Sequence, residues 1–138
     1  MLTKAVDYAI RMLIYMAKGE KGKLFTRKEI SEKCKIPTLF LAKIAQNLSQ
    51  KRIISIAKGA KGGYILNRGP EDITLLEIIE IFSGEIYLNH CIKHKELCEF
   101  SSKCYVHKIW EEITEKLREM LNSVTLKELA EKDTCFNS

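Results

Sequence analysis

The order of the elements predicted between residues 26 and 66 is the strongest constraint on how this chain folds. Thr26, followed three residues later by Glu29, forms a capping box that marks the start of a helix. Pro37 disfavours helical geometry in the residue before it, so this helix ends near residues 35–36 and another begins after the proline. The apolar residues of this next helix recur at helical spacing, as Leu41, Ile44, Ala45 and Leu48. Two helices joined by a tight turn predict a helix-turn-helix.

A β-hairpin is predicted directly after these two helices. Residues 53–57 are rich in β-branched side chains, and residues 64–66 are typical of a returning strand. The turn between them, residues 58–63, has the sequence KGAKGG, whose glycines permit positive φ angles and close backbone approach. A hairpin in this position predicts the winged form of the helix-turn-helix.

The remaining segments are predicted to be mostly helical. Apolar residues recur at helical spacing over residues 6–17, 75–82 and about 105–122, and a capping box at Thr125 starts a short final helix. Residues 85–103 show no sustained helical or strand period, so we expect a loop there. The predicted fold is therefore mainly α with a small β-hairpin wing.

The length of 138 residues is typical of one domain or of a small domain with an appendage. We expect a winged helix-turn-helix domain over residues 1–84, a loop that carries three cysteines over residues 85–104, and a long helix with a C-terminal tail over residues 105–138. The tail is expected to fray from Asp133. The long helix has an apolar seam that either packs on the chain's own core or pairs with a second copy as a dimerisation helix. Its members are Val106, Ile109, Trp110, Ile113, Leu117, Met120 and Leu121.

Charge is distributed unevenly along the chain. Residues 1–69 contain 15 Lys and Arg against 4 Asp and Glu, whereas residues 70–138 contain 8 against 14. A basic first half favours a polyanionic partner, and double-stranded DNA is the commonest partner for a winged helix-turn-helix. We expect Thr38, Lys43 and Asn47, with Gln46 beside them, to face base edges in the major groove. Lys58 and Lys61 on the wing are expected to meet phosphates or the minor groove.

The first residues do not resemble a targeting segment. Lys4, Asp7 and Arg11 interrupt the apolar pattern of the N-terminal helix, whereas a signal peptide has an uninterrupted apolar stretch. No apolar run approaches the ~18 residues that a membrane span requires. We therefore expect a cytoplasmic protein that is not associated with a membrane.

The cysteines are the second informative feature. The chain has five, an odd number that argues against a disulfide framework. Six residues separate Cys91 from Cys98, five separate Cys98 from Cys104, and His107 follows Cys104 by three. Thiolates and imidazole are ligands for zinc or for iron–sulfur clusters. Structural zinc sites usually contain a tight Cys pair, which this sequence lacks, so the wide spacing favours an iron–sulfur cluster over zinc. A thiol switch that needs no metal is a further interpretation of the same cysteines.

Several segments together resemble one known family. They are LT at residues 2–3 with YA at 8–9, the wing KGAKGGYIL at 58–66, the three-cysteine loop, CYVHKIW at 104–110 and LNSVTLKEL at 121–129. These segments resemble the IscR/NsrR (Rrf2) family of iron–sulfur winged-helix transcription regulators. The resemblance extends over nearly the whole chain.

The resemblance implies a homodimer joined through the long helix and a cluster in the 85–104 loop that controls DNA binding. It implies Cys91, Cys98 and Cys104 as cluster ligands. His107 matches the fourth ligand of a 2Fe–2S cluster in IscR-like members, whereas Asp7 of the partner subunit matches the ligand of a 4Fe–4S cluster in NsrR-like members. We favour His107, because only core packing or a cluster explains a histidine on that helix face.

Three positions depart from the family pattern that the resemblance implies. The gap between Cys91 and Cys98 is one residue longer than usual, Lys58 stands where arginine is usual, and Ala42 replaces a glutamate that discriminates between operators in IscR-like members. The family's operator preference therefore does not transfer to this chain.

The leading hypothesis is a homodimeric transcription regulator, acting as a repressor or an activator, whose cluster senses iron–sulfur status, redox state or nitric oxide. The alternatives are a cluster-free regulator that uses thiols or zinc, and a metal- or thiol-dependent enzyme. An enzyme is disfavoured, because no glycine-rich oxyanion turn or orienting acid accompanies the cysteine and histidine residues. We therefore expect no enzymatic activity.

Overall fold

The computed structural model describes residues 2–136. These residues form seven α-helices, three short β-strands and two 3₁₀ turns. The helices are α1 (Lys4–Ala17), α2 (Arg27–Cys34), α3 (Thr38–Gln50), α4 (Leu75–Ser83), α5 (His90–Lys93), α6 (Tyr105–Ser123) and α7 (Leu126–Lys132); the strands are β1 (Leu24–Phe25), β2 (Ile54–Ala57) and β3 (Gly63–Leu66). The predicted class, mainly α with a hairpin wing, is confirmed.

Local sequence signals account for the helix boundaries. A threonine followed three residues later by glutamate predicts a helix start at Thr26, Thr74 and Thr125. Each of these threonine side chains accepts a hydrogen bond from the backbone N–H three residues on. Lys35 ends α2 in the left-handed conformation, with φ 56°, and Pro37 precedes α3. The tight turn between α2 and α3 is therefore encoded by residues next to it.

The sheet is antiparallel and has the strand order β1-β3-β2. The sequence predicted the β2–β3 hairpin but not β1, which is only two residues long and pairs Leu24 with Ile65 and Phe25 with Tyr64. A Cβ on Gly63 would collide with the carbonyl oxygen of Phe25, so glycine permits the close approach of β1 to β3.

Helix α1 lies at the centre of the molecule and contacts α2, α3, α4 and α7. Its buried side chains join those of α2, α3 and the sheet in the main hydrophobic core. Arg11 donates a hydrogen bond to the carbonyl oxygen of Cys34 at 2.9 Å, which ties α1 to the end of α2. The helix-turn-helix and the wing are thus held on one rigid support.

A second apolar cluster holds α6 against α4 and α1. Val6, Leu76, Ile79 and Ile86 are buried there, and Leu117 and Leu121 of α6 pack on them. The predicted seam of α6 is therefore divided, because part of it packs on the chain's own core. The side chains of Val106, Ile113 and Met120 remain exposed.

Two local expectations are wrong. Part of the predicted loop forms α5 and a 3₁₀ turn at Lys95–Leu97, each too short to produce an apolar period. The tail does not fray over residues 133–136: Lys18 Nζ lies 2.7 Å from an Asp133 carboxylate oxygen, and the Phe136 ring packs edge-on against Tyr15. Residues 137–138, which the fraying prediction also covered, lie outside the described part of the chain.

No helix among residues 2–136 is long and apolar enough to span a membrane.

Candidate nucleic-acid interface and cysteine site

Helix α3 presents a polar and basic surface. Its inward side chains, Leu41, Ile44, Ala45 and Leu48, are buried in the main core. Burial of this stripe turns the opposite side outward, so Thr38, Lys43, Gln46 and Asn47 are all exposed. The predicted base-reading side chains therefore share the free side of the second helix of a helix-turn-helix, where a major groove would lie.

The wing follows α3 directly and carries two exposed lysines, Lys58 and Lys61. Gly59 adopts a positive φ of 101°, and a Cβ on Gly62 would collide with the carbonyl oxygen of Ala57. Glycine therefore permits a tight hairpin tip with an ammonium group on either side of it. We refer to the exposed side of α3 and the wing together as the basic face, which we define by Thr38, Lys43, Asn47, Lys58 and Lys61.

An aromatic contact at this face was not anticipated from the sequence. The ring of Phe40 lies 5.8 Å from that of Tyr8 in an edge-on arrangement, and the Arg11 guanidinium sits over the Tyr8 ring at 5.2 Å. The contact joins α1 to the first turn of α3. No local signal relates residue 8 to residue 40, because their proximity arises only from helix packing.

The cysteines of the 85–104 loop occupy three different elements. Cys91 lies in α5, Cys98 follows the 3₁₀ turn, and Cys104 is the N-cap residue of α6. All three are partly exposed and none forms a disulfide. His107 lies in the first turn of α6 and is only 5% exposed.

His107 links two elements of this loop through both ring nitrogens. Nδ1 lies 3.2 Å from Cys91 Sγ, and Nε2 lies 2.9 Å from Glu111 Oε1. Lys95 Nζ lies 2.9 Å from the same Glu111 oxygen. Hydrogen bonds from Lys95 and His107 lower the pKa of the Glu111 carboxyl, so this group is an anion near neutral pH. An anionic acceptor at Nε2 orients the ring with Nδ1 toward the thiol.

The predicted ligands are only partly assembled. Cys91 and His107 are in contact, but across residues 2–136 no three His, Cys, Asp or Glu side chains converge as a group that could hold a metal ion. Asp7 is 60% exposed and forms an ion pair with Arg11 at 2.6 Å. Glu111 was not among the site residues predicted from the sequence. Its position one helical turn after His107 could have indicated it, because residues four apart on a helix are neighbours.

The donor chemistry nevertheless fits an iron–sulfur cluster. Three thiols and one imidazole lie in a single loop and the helix turn that follows it, and the imidazole already has the outer hydrogen bond that metal-ligating histidines usually make. The thiols are partly exposed, which leaves them open to metal. The fold and the basic face together define a winged helix-turn-helix protein, the class whose second helix enters the major groove of DNA.

Comparison with known proteins specifies the family. The chain belongs to the Rrf2 family, whose model, described as an iron-dependent transcriptional regulator, matches residues 2–132. It is therefore a transcriptional regulator rather than an enzyme, as predicted.

Individual relatives agree with this assignment. A protein of Aquifex aeolicus named as an HTH-type transcriptional regulator is 34% identical over 126 residues, covering 90% of this chain and 87% of the relative. The regulator IscR of Klebsiella pneumoniae is 27% identical over 128 residues, covering 93% and 78%. The structure of CymR, the global cysteine regulator of B. subtilis, is similar with a TM-score of 0.77 and 25% identity, covering 97% of this chain and 98% of CymR.

Proposed function

We propose that this chain is a homodimeric transcription regulator of the cytoplasm whose DNA binding is controlled by an iron–sulfur cluster. The observation that carries the proposal is the placement of His107, a buried imidazole held by Glu111 with its other nitrogen at Cys91 Sγ. The imidazole and the Cys91 thiol are therefore already in contact as two members of the proposed ligand set. The cluster would sense iron–sulfur status, redox state or nitric oxide.

The residues that would hold the cluster are Cys91, Cys98, Cys104 and His107. A bound cluster supplies a centre that gains or loses an electron and reacts with small oxidants. Since Cys104 is the residue directly before the helix that carries His107, a change at these ligands would act on the start of α6. We favour a 2Fe–2S cluster on this ligand set.

A 4Fe–4S cluster with Asp7 of the partner subunit is the alternative form of the same proposal. In the single chain, Asp7 pairs with Arg11, which also holds the carbonyl oxygen of Cys34. Ligation by Asp7 would therefore require this carboxylate to leave its ion pair. His107 needs no such rearrangement to reach a thiol, because its Nδ1 already contacts Cys91 Sγ.

The exposed apolar stripe of α6 supports the homodimer. Val106, Ile113 and Met120 are spaced seven residues apart, lie on one side of the helix and are exposed. Two copies joined along this stripe would present two basic faces. We expect their DNA half-sites to lie about one helical turn, ~34 Å, apart.

The visible absorbance of protein purified without oxygen tests the cluster. The wild-type chain should show iron–sulfur charge-transfer bands that bleach on reduction. Cys98→Ala should abolish them, because one thiolate ligand is removed, whereas Cys135→Ala should retain them, since Cys135 is an exposed cysteine outside the loop. A Cys98→Ala variant with the full spectrum would refute the ligand assignment.

A cluster-free regulator that uses zinc or bare thiols is the second candidate. The observation that favours it is that Cys91 contacts His107 while Cys98 and Cys104 do not converge with them into a group that could hold a metal ion within residues 2–136. A wild-type protein that stays colourless after reconstitution with iron and sulfide would select this candidate. Its DNA binding would then depend on metal content or on thiol oxidation, measured by metal analysis and thiol titration.

A further inference from the structure

The first turn of α3 exposes apolar surface in the middle of the basic face. Leu39 is 87% exposed, the most exposed of the large hydrophobic side chains among residues 2–136. Phe40 beside it is 49% exposed, and Ala42 one turn later is exposed as well. Polar or charged residues at these positions would be expected on a helix side that faces only water.

Leu39 and Phe40 differ in how they are held. Phe40 packs edge-on against Tyr8, so its ring contributes to the contact between α1 and α3. Leu39 is not a member of either hydrophobic cluster of the described chain. Packing within the chain therefore accounts for Phe40 but leaves the Leu39 side chain without a structural role.

The surroundings of Leu39 indicate what it meets. Residues three and four apart share one side of a helix, so Ala42 and Lys43 are its neighbours on the exposed side of α3. Thr38 precedes it, and Thr38, Ala42 and Lys43 are all exposed. A narrow apolar patch beside an ammonium group fits the floor of a DNA major groove, where the C5-methyl of thymine is the only methyl group among the base edges.

We propose that Leu39, with Ala42 beside it, contacts the C5-methyl group of thymine in the major groove, which makes thymine a required base in each operator half-site. The inference rests on the proposed function, since it needs α3 to be the helix that enters the groove. It adds a specificity determinant that the polar residues of α3 do not supply: discrimination by a methyl group rather than by a hydrogen bond.

Uracil substitution in the operator tests this directly. An operator is first selected from random duplex DNA with the full-length protein purified without oxygen. Each thymine is then replaced in turn by deoxyuridine, which removes only the C5-methyl, and the dissociation constant is measured by fluorescence anisotropy. At the contacted position, we expect binding to weaken about 4-fold per half-site and roughly 10- to 20-fold when both half-sites are substituted.

Two variants separate the methyl contact from general weakening. Leu39→Ser should lose most of the preference for the thymine operator over the uracil operator, because the larger apolar partner of the methyl group is gone and only Ala42 remains. Leu39 is exposed, so the variant should keep the wild-type fold, which circular dichroism would verify. Lys58→Ala should weaken binding to both operators and retain the wild-type preference for thymine. A wild-type protein indifferent to every uracil substitution, or a Leu39→Ser variant with the full preference, would overturn the inference. Failure to select any sequence would instead overturn DNA recognition itself, and this inference with it.

Discussion

At the scale of single residues, His107 is distinguished from the other two histidines by its partners. It is buried and meets Cys91 and Glu111, whereas the rings of His90 and His94 lie 4.4 Å from each other in a more exposed part of the loop. Its spacing from Cys104 and the family resemblance were sufficient to single it out. The thiol that it meets could not be predicted from the sequence, since Cys91 and His107 are 16 positions apart.

Cys34 provides a prediction at the residue scale. Burial raises the pKa of its thiol from 9.0 to about 12. The unfolded chain ionises this thiol near pH 9 and the folded chain near pH 12, so between these values the folded state binds more protons. The free energy of unfolding should therefore fall as pH rises from 9 toward 12, by about 1.4 kcal/mol per pH unit from this group. Urea unfolding under reducing conditions at several pH values measures it.

Cys34→Ala isolates this contribution, because alanine does not titrate. The variant should be less stable than the wild type at pH 8, and the difference should shrink as pH rises. Cys135→Ala, at an exposed thiol, should follow the wild-type pH dependence. A stability difference between wild type and Cys34→Ala that is constant from pH 8 to 11 would contradict the assignment of a raised pKa to Cys34.

At the scale of elements, α3 and the wing were predictable because their signals are local. The capping box at Thr26, the position of Pro37 and the glycine-rich turn each act within a few residues. Strand β1 was not predictable, since two residues give no alternation, and its pairing with β3 depends on the position of α1. The helix-turn-helix and the hairpin are thus encoded locally, whereas the full sheet is not.

The wing provides a prediction at this scale. Replacing Lys58 and Lys61 by alanine removes two exposed ammonium groups from the hairpin tip. If both meet phosphates, the slope of log Kd against log salt should become shallower by about one unit for each lysine–phosphate pair that is removed. Fluorescence anisotropy at several salt concentrations measures the slope.

Lys127→Ala with Lys132→Ala provides the matched control for this experiment. These are also two exposed lysines, but they lie on α7 and pair with glutamates of the same helix. Their replacement should leave the salt slope close to the wild-type value. A wing variant with an unchanged slope would exclude the wing from the DNA contact.

At the scale of the whole molecule, α6 has two apolar sides with different roles. Leu117 and Leu121 pack on the cluster formed by α1 and α4, while Val106, Ile113 and Met120 face outward. The sequence predicted a single apolar seam on this helix, which could pack either on the chain's own core or on a second copy. The structure assigns part of the seam to the chain's own core and leaves the other part exposed.

Ile113→Lys tests the assembly of two chains. A buried ammonium group in the middle of the stripe would oppose association, so the variant should sediment as a monomer and bind a two-half-site operator at least 10-fold more weakly. Analytical ultracentrifugation measures the first and anisotropy the second. Glu115→Lys, which places lysine elsewhere on α6 at an exposed position, should remain dimeric. A dimeric Ile113→Lys variant would exclude this stripe as the interface.

The sequence by itself determined every helix except α5, the hairpin, the basic first half and the set of candidate ligands, because capping, periodicity, turn chemistry and charge act over short distances along the chain. Only the tertiary structure decided which groups meet: β1 with β3, Phe40 with Tyr8, Cys91 with His107, and Phe136 with Tyr15. These contacts follow from burial of apolar surface between elements distant in the chain. No local pattern encodes them, since each depends on the positions of all the helices that pack around α1.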